Sequence, residues 1–97
     1  MGVPVSVEVR LPTLLRPATG GKAKVTAEGT TVGEVLRSVI SEHPALGVQV
    51  MTEDGELHRF VNVYVNNDDV RYLDRLDTRV ASEDVVSILP AVAGGAI

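Results

Sequence analysis

Hydrophobic residues recur at every second position near the start of the chain. Valines stand at 3, 5, 7 and 9 and a leucine at 11, with polar residues between most of them. This period of two predicts a strand over 3–11 with one buried face, which Pro12 ends. A second alternation over 22–27 predicts a strand that returns antiparallel to the first. Between them, 13–21 is expected to be a loop that turns at Gly20-Gly21.

The pattern changes to that of a helix after the second strand. Thr31 and Glu34 have the spacing of a capping box, in which a hydroxyl and a carboxylate bind backbone N–H groups at the start of a helix. His43-Pro44 marks the end, because the residue before a proline disfavours helical geometry. We therefore predict about three turns of amphipathic helix. Its apolar stripe is Val32, Val35, Leu36, Val39 and Ile40.

The period of two resumes at Phe60 and again at Val85. We predict a strand from Phe60 with its valines at 61, 63 and 65 on one face, and a last strand over 85–89 that Pro90 stops. The segment 45–57 has no clear period except for a solvated turn at 53–56. Between the two strands we expect a turn at 67–69, a short or edge strand at 70–72 and a turn at 82–84.

This order of elements predicts an α+β fold for a domain spanning 1–90. The expected architecture is a mixed four- to five-stranded sheet with one main helix packed on one face. The opposite face of the sheet, here called the open face, is left for solvent or a partner. Residues 91–97 follow the domain as a C-terminal segment, here called the tail.

Composition narrows the possible functions. The chain has 97 residues, of which 44% are hydrophobic, and no cysteine, so it has no disulfide, no thiolate zinc site and no cysteine nucleophile. A chain of this size has little volume for an enclosed active site. We expect no catalytic residues, no bound cofactor and no metal. His43 is expected to close the helix rather than bind a metal, and His58 lacks a partnered carboxylate pattern.

Charge and hydropathy exclude two further classes of partner. The net charge is −4, from nine Lys and Arg against 13 Asp and Glu, which disfavours nucleic acid. No apolar run approaches the roughly 20 residues that cross a bilayer. We expect a cytoplasmic protein that is a monomer when free. Four arginines, at 59, 71, 75 and 79, lie among aspartates and are interpreted as a solvated mixed-charge surface.

The tail has neither a helical nor a strand period. It reads Ala91-Val92-Ala93-Gly94-Gly95-Ala96-Ile97, and its two glycines give the backbone great freedom. Five extended residues reach at most ~17 Å, which would carry Gly95 into another protein's active site while the domain docks outside. The alternative is a terminal segment without function. A Gly-Gly pair alone is weak, since Gly20-Gly21 is expected to serve only a turn.

Together with the predicted topology, the segment 88–95 resembles the ubiquitin-like β-grasp sulfur carriers of the MoaD/ThiS superfamily. Three segments resemble the CysO-type carriers within it. They are Pro12-Thr13 through Leu15-Arg16-Pro17 to Thr19-Gly20-Gly21; Leu57-His58-Arg59-Phe60-Val61-Asn62-Val63-Tyr64-Val65-Asn66 with Asp69-Val70-Arg71; and Pro90 to Gly95. The resemblance extends from Val5 to Gly95.

The resemblance implies a protein substrate rather than a catalyst. In the family, an E1-like adenylyltransferase of the MoeB/ThiF type uses ATP to adenylate a terminal glycine carboxylate. Sulfur then displaces AMP, and the thiocarboxylate donates sulfur to an acceptor synthase. By position, Gly95 would be the reactive residue, and Gly94, Ala93 and Val92 would thread into the enzyme. ATP and the sulfur source are used by the partner enzyme.

The chain departs from the commonest family pattern after Gly95. Ala96-Ile97 follow, so the Gly95 carboxyl is held in a peptide bond. Our hypothesis is that a JAMM-type metallopeptidase cleaves between Gly95 and Ala96. Both cysteine biosynthesis and sulfur-containing natural products stay open as destinations of the sulfur. The alternatives are a ubiquitin-like modifier conjugated through Gly95, and a passive interaction module.

Docking of a partner needs an apolar patch near the tail. With Val86 and Ile88 in the core, the period of two turns Leu89 onto the open face. Leu89 is therefore the first candidate for partner docking and Phe60 the second. Ordinary packing is the alternative for both. Leu14 and Leu15 are expected to tuck beneath the sheet.

Overall fold

One mixed sheet and a helix across it make up the fold. The structure is a computed structural model that describes residues 6–59 and 61–90. The sheet has the order β2-β1-β5-β3-β4, and the predicted α+β class with a β-grasp arrangement is confirmed. The elements are β1 (Ser6–Arg10), β2 (Lys24–Glu28), α1 (Val32–Glu42), α2 (Gly47–Val50), β3 (Val61–Val65), β4 (Asp68–Asp69) and β5 (Val85–Pro90).

The first and last strands lie side by side at the centre of the sheet. β1 and β5 are parallel, with Val9 opposite Val86. β2 pairs antiparallel with β1 over its whole length, as predicted. β3 pairs antiparallel with β5, from Val61 opposite Pro90 to Val65 opposite Val86. The last strand is thus hydrogen-bonded on both sides, and the tail begins directly after it.

The core lies between α1 and one face of the sheet. The predicted stripe of α1 is buried except for Ile40, which is half-buried. The valines of β1 and β3 that were assigned to the core are buried where they are described, and Val3 and Val5 lie outside the described residues. Leu36, Leu46 and Ile88 are the largest fully buried side chains. The apolar face of the sheet is thereby covered, and the open face is the one left for contacts.

The start of α1 matches the predicted cap, with one change of partner. Thr31 Oγ1 accepts a hydrogen bond from the Glu34 N–H at 3.2 Å. Glu34 Oε1 accepts from the Thr30 N–H at 2.8 Å and from Thr30 Oγ1 at 2.9 Å, one residue earlier than a standard capping box. At the other end, the His43 N–H donates to the Val39 carbonyl oxygen at 2.8 Å, so His43 closes the helix as predicted.

Because Glu34 is part of this cap, the free energy of unfolding is expected to depend on pH. The hydrogen bonds from Thr30, that of its N–H first, hold the pKa of Glu34 below its ordinary value. Since the pKa of Glu34 is lower in the folded protein than in the unfolded chain, ionised Glu34 stabilises the fold at pH values above its ordinary pKa. This stabilisation is lost as the pH falls through the lowered pKa of the folded state. We expect the melting temperature of the wild type to fall more than that of Glu34→Ala between about pH 7 and about pH 3. Glu42→Ala, at the other end of α1, is the control and should follow the wild type. Parallel wild-type and Glu34→Ala curves would contradict the assignment.

The segment 13–21 is more ordered than predicted. Thr13–Thr19 forms a 3-10 helix where a loop was expected. The hydroxyl of Thr19, which is buried, donates a hydrogen bond to the Arg16 carbonyl oxygen at 3.0 Å, and this bond tightens the turn. The predicted turn at the glycines is confirmed, since Gly20 and Gly21 have φ of 74° and 91°, where only glycine is unstrained.

Three predictions after β3 are wrong in detail. Val70–Tyr72 forms a 3-10 helix rather than a short or edge strand, because the Asp69 carboxylate accepts from the Arg71 N–H at 2.9 Å and curls the chain. The residues before it, Asp68–Asp69, were predicted to be part of a turn and instead pair with β3 as β4. β5 also includes Pro90, which was expected to stop it.

Candidate functional site

The tail begins at one end of the sheet, beside the start of β3. Pro90 is the last described residue of β5 and pairs with Val61. Phe60, Val92, Ala93, Gly94, Gly95 and Ala96 lie outside the described residues. Their assigned roles in docking, threading, activation and cleavage therefore stay predictions. The structure defines the surface around the point where the tail starts.

Leu89 lies on the open face, as its period predicted. The side chain is 44% exposed, while Ile88 beside it is 1% exposed. Its cross-strand neighbour is Asn62, whose Oδ1 is buried and has no hydrogen-bond partner within the described parts of the chain. The buried oxygen is out of reach of a partner, so the exposed leucine is the feature of this pair that can contact another protein.

A shallow groove runs along the open face from Leu89. Its volume is about 480 Å³. Polar side chains of three strands contribute to it, among them Arg10 of β1, Tyr64 of β3 and Ser87 of β5. The neighbouring Arg10 Nε binds Glu8 Oε2 at 2.6 Å, and this bond lowers the pKa of Glu8. Apolar side chains, among them Leu11 and Leu89, line the groove together with these polar ones. Such a broad, open surface can bind a protein but does not enclose a substrate.

A second groove, of about 300 Å³, lies at the tail end of the sheet. Leu15 is buried as predicted, but Leu14 is 73% exposed, so the expectation that both leucines tuck beneath the sheet is wrong for Leu14. The 3-10 helix turns successive side chains in different directions, so the two leucines cannot share one environment. Sequence reasoning also missed Val48, which is 79% exposed. The lining residues are Pro12, Leu14, Leu15, Val48, Gln49, His58, Val61 and Pro90.

Two features are absent from the described residues. Within 6–59 and 61–90, no group of three or more His, Asp or Glu is placed to hold a metal ion. In the same ranges, no helix is long and apolar enough to cross a membrane. The described surface includes exposed apolar side chains, shallow grooves and the start of the tail.

The sequence pattern of a known family extends over most of the chain. The ThiS family pattern matches residues 9–95, which includes every described strand from β2 to β5 and continues through Gly94 to Gly95. The chain belongs to the ThiS family. The matched range stops at Gly95, so Ala96 and Ile97 fall beyond the ThiS family pattern.

Proteins with similar sequences include a sulfur carrier and a small archaeal modifier. The chain is 46% identical over 93 residues to the sulfur carrier protein CysO of Mycobacterium tuberculosis, covering 94% of this chain and 100% of the relative. It is 37% identical to small archaeal modifier protein 3 of Haloferax volcanii, covering 94% of this chain and 100% of that protein. The resemblance to CysO-type carriers is confirmed.

Solved structures agree with the ThiS family assignment. A chain in the Amycolatopsis orientalis BexX/CysO complex is 47% identical and superposes with a TM-score of 0.84, covering 92% of this chain and 99% of that chain. That structure holds a CysO together with another protein. The predicted fold is therefore confirmed by the sheet order of this protein and by its superposition on that solved structure.

Proposed function

We propose that this protein is a sulfur carrier whose Gly95 carboxyl becomes a thiocarboxylate. The observation that supports it most is the ThiS family match, which covers residues 9–95 and stops at Gly95, the residue that the resemblance assigns as reactive. The name of the 46% identical relative, sulfur carrier protein CysO, supports the same function. In this role the protein is a co-substrate of other enzymes rather than a catalyst.

Activation of Gly95 requires two displacement steps on a partner. The Gly95 carboxylate attacks the α-phosphorus of ATP, pyrophosphate leaves, and an acyl adenylate forms. Sulfide then attacks the acyl carbon, and AMP leaves with the electron pair of the broken C–O bond. If the sulfur comes from a protein persulfide instead, an acyl disulfide forms, and a thiolate of the partner attacks its S–S bond, which releases the thiocarboxylate and leaves a disulfide on the partner. The partner is an E1-like adenylyltransferase of the MoeB/ThiF type, which uses the ATP. The chain supplies an accessible carbon, and the two glycines leave its approach unhindered.

The same proposal assigns the residues around Gly95. Gly94, Ala93 and Val92 thread through the channel of the adenylyltransferase, and a JAMM-type metallopeptidase first cleaves between Gly95 and Ala96. The mature thiocarboxylate then donates its sulfur to a synthase of cysteine or of a sulfur-containing natural product. The chain itself has no cysteine, so the sulfur is carried by the main chain.

Leu89, together with Phe60, is proposed to dock the adenylyltransferase. Leu89 lies one residue before Pro90 and lines the open-face groove. A partner seated there receives the tail directly, because the tail starts at the same end of the sheet. Burial of an exposed leucine within a rim of polar side chains fits the usual layout of a protein–protein interface.

The direct test is the intact mass of the full chain after incubation in an extract of its source cells with ATP and sulfide. We expect the loss of Ala96-Ile97 and then a gain of about 16 Da, the mass difference between sulfur and oxygen. Iodoacetamide, which alkylates a thiocarboxylate, should add to the heavier species. A chain that keeps Ala96-Ile97 throughout would overturn the proposal.

A ubiquitin-like modifier is the second candidate function. The 37% identity to small archaeal modifier protein 3 favours it specifically. In that case the same incubation yields high-mass conjugates in which Gly95 is joined to a lysine of another protein. Conjugates in place of the sulfur-bearing species would establish the modifier and reject the carrier.

A further inference from the structure

Three arginines line one concavity, and one of them, Arg71, reaches the start of β3. Arg59, Arg71 and Arg75 surround a cavity of about 360 Å³ together with Leu57 and Leu76, and Glu56 completes the lining. The six lining residues thus include three arginines and one glutamate. The whole chain has a net charge of −4. We call this concavity the arginine site.

Arg71 is held in place by its own hydrogen bond. Its Nη2 donates to the Val61 carbonyl oxygen at 3.1 Å. The bond uses one N–H of a guanidinium that has five, and it fixes the direction in which the others point. Among residues 6–59 and 61–90, Arg71 and Arg75 form no ion pair. No carboxylate oxygen of the described chain lies within 4 Å of either guanidinium.

Arg75 occupies a backbone conformation that favours glycine. Its φ is 54°, in the left-handed region that a residue with a side chain rarely adopts. The Thr78 N–H donates to the Arg75 carbonyl oxygen at 3.1 Å and holds this turn. This hydrogen bond uses only backbone atoms, so the turn would form as well with glycine at this position. The arginine side chain is therefore not explained by the turn.

The chemistry of the lining selects the ligand class. Guanidinium groups bind carboxylates through paired N–H donors, and several around one concavity favour an anion. Leu57 and Leu76 are half-buried and offer an apolar wall beside them. A segment that presents a carboxylate next to an apolar side chain satisfies both halves of the lining. A small inorganic anion would leave the leucines uncovered.

The position of the arginine site points to the partner that supplies this segment. Arg71 binds the carbonyl oxygen of Val61, and Val61 pairs with Pro90 at the start of the tail. Neighbouring strands are about 4.8 Å apart, so the Arg71 guanidinium lies beside a residue that is one strand away from the start of the tail. The other end of the cavity, at Leu76, lies near Gly33 at the start of α1. The five residues from 91 to 95 span at most ~17 Å, so a partner that holds Gly95 lies within that distance of the end of β5. This step rests on the proposed function.

We propose that the arginine site binds an acidic segment of the protein that receives the tail, with a carboxylate between the guanidiniums and an apolar side chain against Leu57 and Leu76. The interaction fixes the orientation of the partner around the tail. It is separate from Leu89, which lies on the open face.

The test is a titration of the isotopically labelled full chain, followed by backbone amide NMR. The probe is the peptide acetyl-Leu-Glu-Glu-Leu-amide, compared with acetyl-Leu-Gln-Gln-Leu-amide and with inorganic phosphate. We expect saturable shifts at 56–59 and 70–76 with the glutamate peptide, and binding weaker by about tenfold or more with the glutamine peptide. Arg71→Gln combined with Arg75→Gly should lose the binding. Glycine suits the φ of Arg75, so this variant should fold.

The matched control is Arg10→Gln combined with Lys24→Gln, which removes two positive charges from paired positions on β1 and β2. This control should bind the glutamate peptide like the wild type. The inference is overturned if the control loses binding equally, if both peptides bind alike, if phosphate alone shifts these amides, or if no peptide binds. Each result is independent of whether Gly95 acquires sulfur, so the failure of this inference and the failure of the proposed function are distinguishable.

Discussion

A chain shortened to end at Gly95 is expected to gain about 16 Da when incubated with a MoeB/ThiF-type adenylyltransferase, ATP and sulfide. The chain that continues to Ile97 should gain nothing in the same mixture. The reason is covalent: adenylation needs a free carboxylate, and the peptide bond to Ala96 removes it. We therefore expect a mass gain in the chain that ends at Gly95 and none in the chain that ends at Ile97. Intact-mass spectrometry measures this difference directly.

Two further chains serve as controls for this result. A chain that ends at Gly94 should gain little, because the reactive carbon is then one residue short of its place in the partner. Gly21→Ala in the chain ending at Gly95 should keep the mass gain, although its φ of 91° makes an alanine strained and lowers stability. Equal gains in the chains ending at Gly95 and at Ile97 would contradict both the reactive residue and the need for cleavage.

Leu89→Arg is expected to slow the activation of the chain ending at Gly95 by about tenfold to a hundredfold. A leucine that fills a pocket of the adenylyltransferase would be replaced by a charge that must be desolvated there. The fold should be little affected, because Leu89 is 44% exposed and lies outside the core. The measurement is the initial rate of adenylation at limiting carrier concentration, with the melting temperature taken in parallel.

Ser41→Arg is the control, because Ser41 is exposed on α1, outside both the open face and the lining of the arginine site, and the substitution introduces the same charge. It should keep a rate close to that of the wild type. Similar losses in the two variants would indicate a general effect of added positive charge. An unchanged rate for Leu89→Arg would remove Leu89 from the docking surface.

The regular elements of this fold could be predicted because their signals are local. Period-two valines define β1 and β3, and the burial of Val86 and Ile88 follows from the same rule. The helix was predictable because Thr31 and Glu34 lie within one turn of each other. The orientation of Leu89 follows directly from the register of β5.

The remaining features depend on contacts that sequence spacing does not show. Arg71 was assigned to a solvated surface, but its bond to the Val61 oxygen joins residues ten positions apart. The carboxylate of Asp69 converts the predicted strand at Val70–Tyr72 into a 3-10 helix. The exposure of Val48 depends on how the short α2 packs while its neighbour Val50 is 1% exposed. Each of these requires the folded chain.

The pairing of β1 with β5 determines how the domain responds to force. These are the first and last strands, they are parallel, and three residue pairs join them from Glu8 opposite Val85 to Arg10 opposite Ser87. Tension between the two ends of the chain pulls these strands in opposite directions along their length. Their hydrogen bonds are then sheared together instead of being opened one after another. The domain is thus built to resist extension when an enzyme pulls on the segment that follows Pro90.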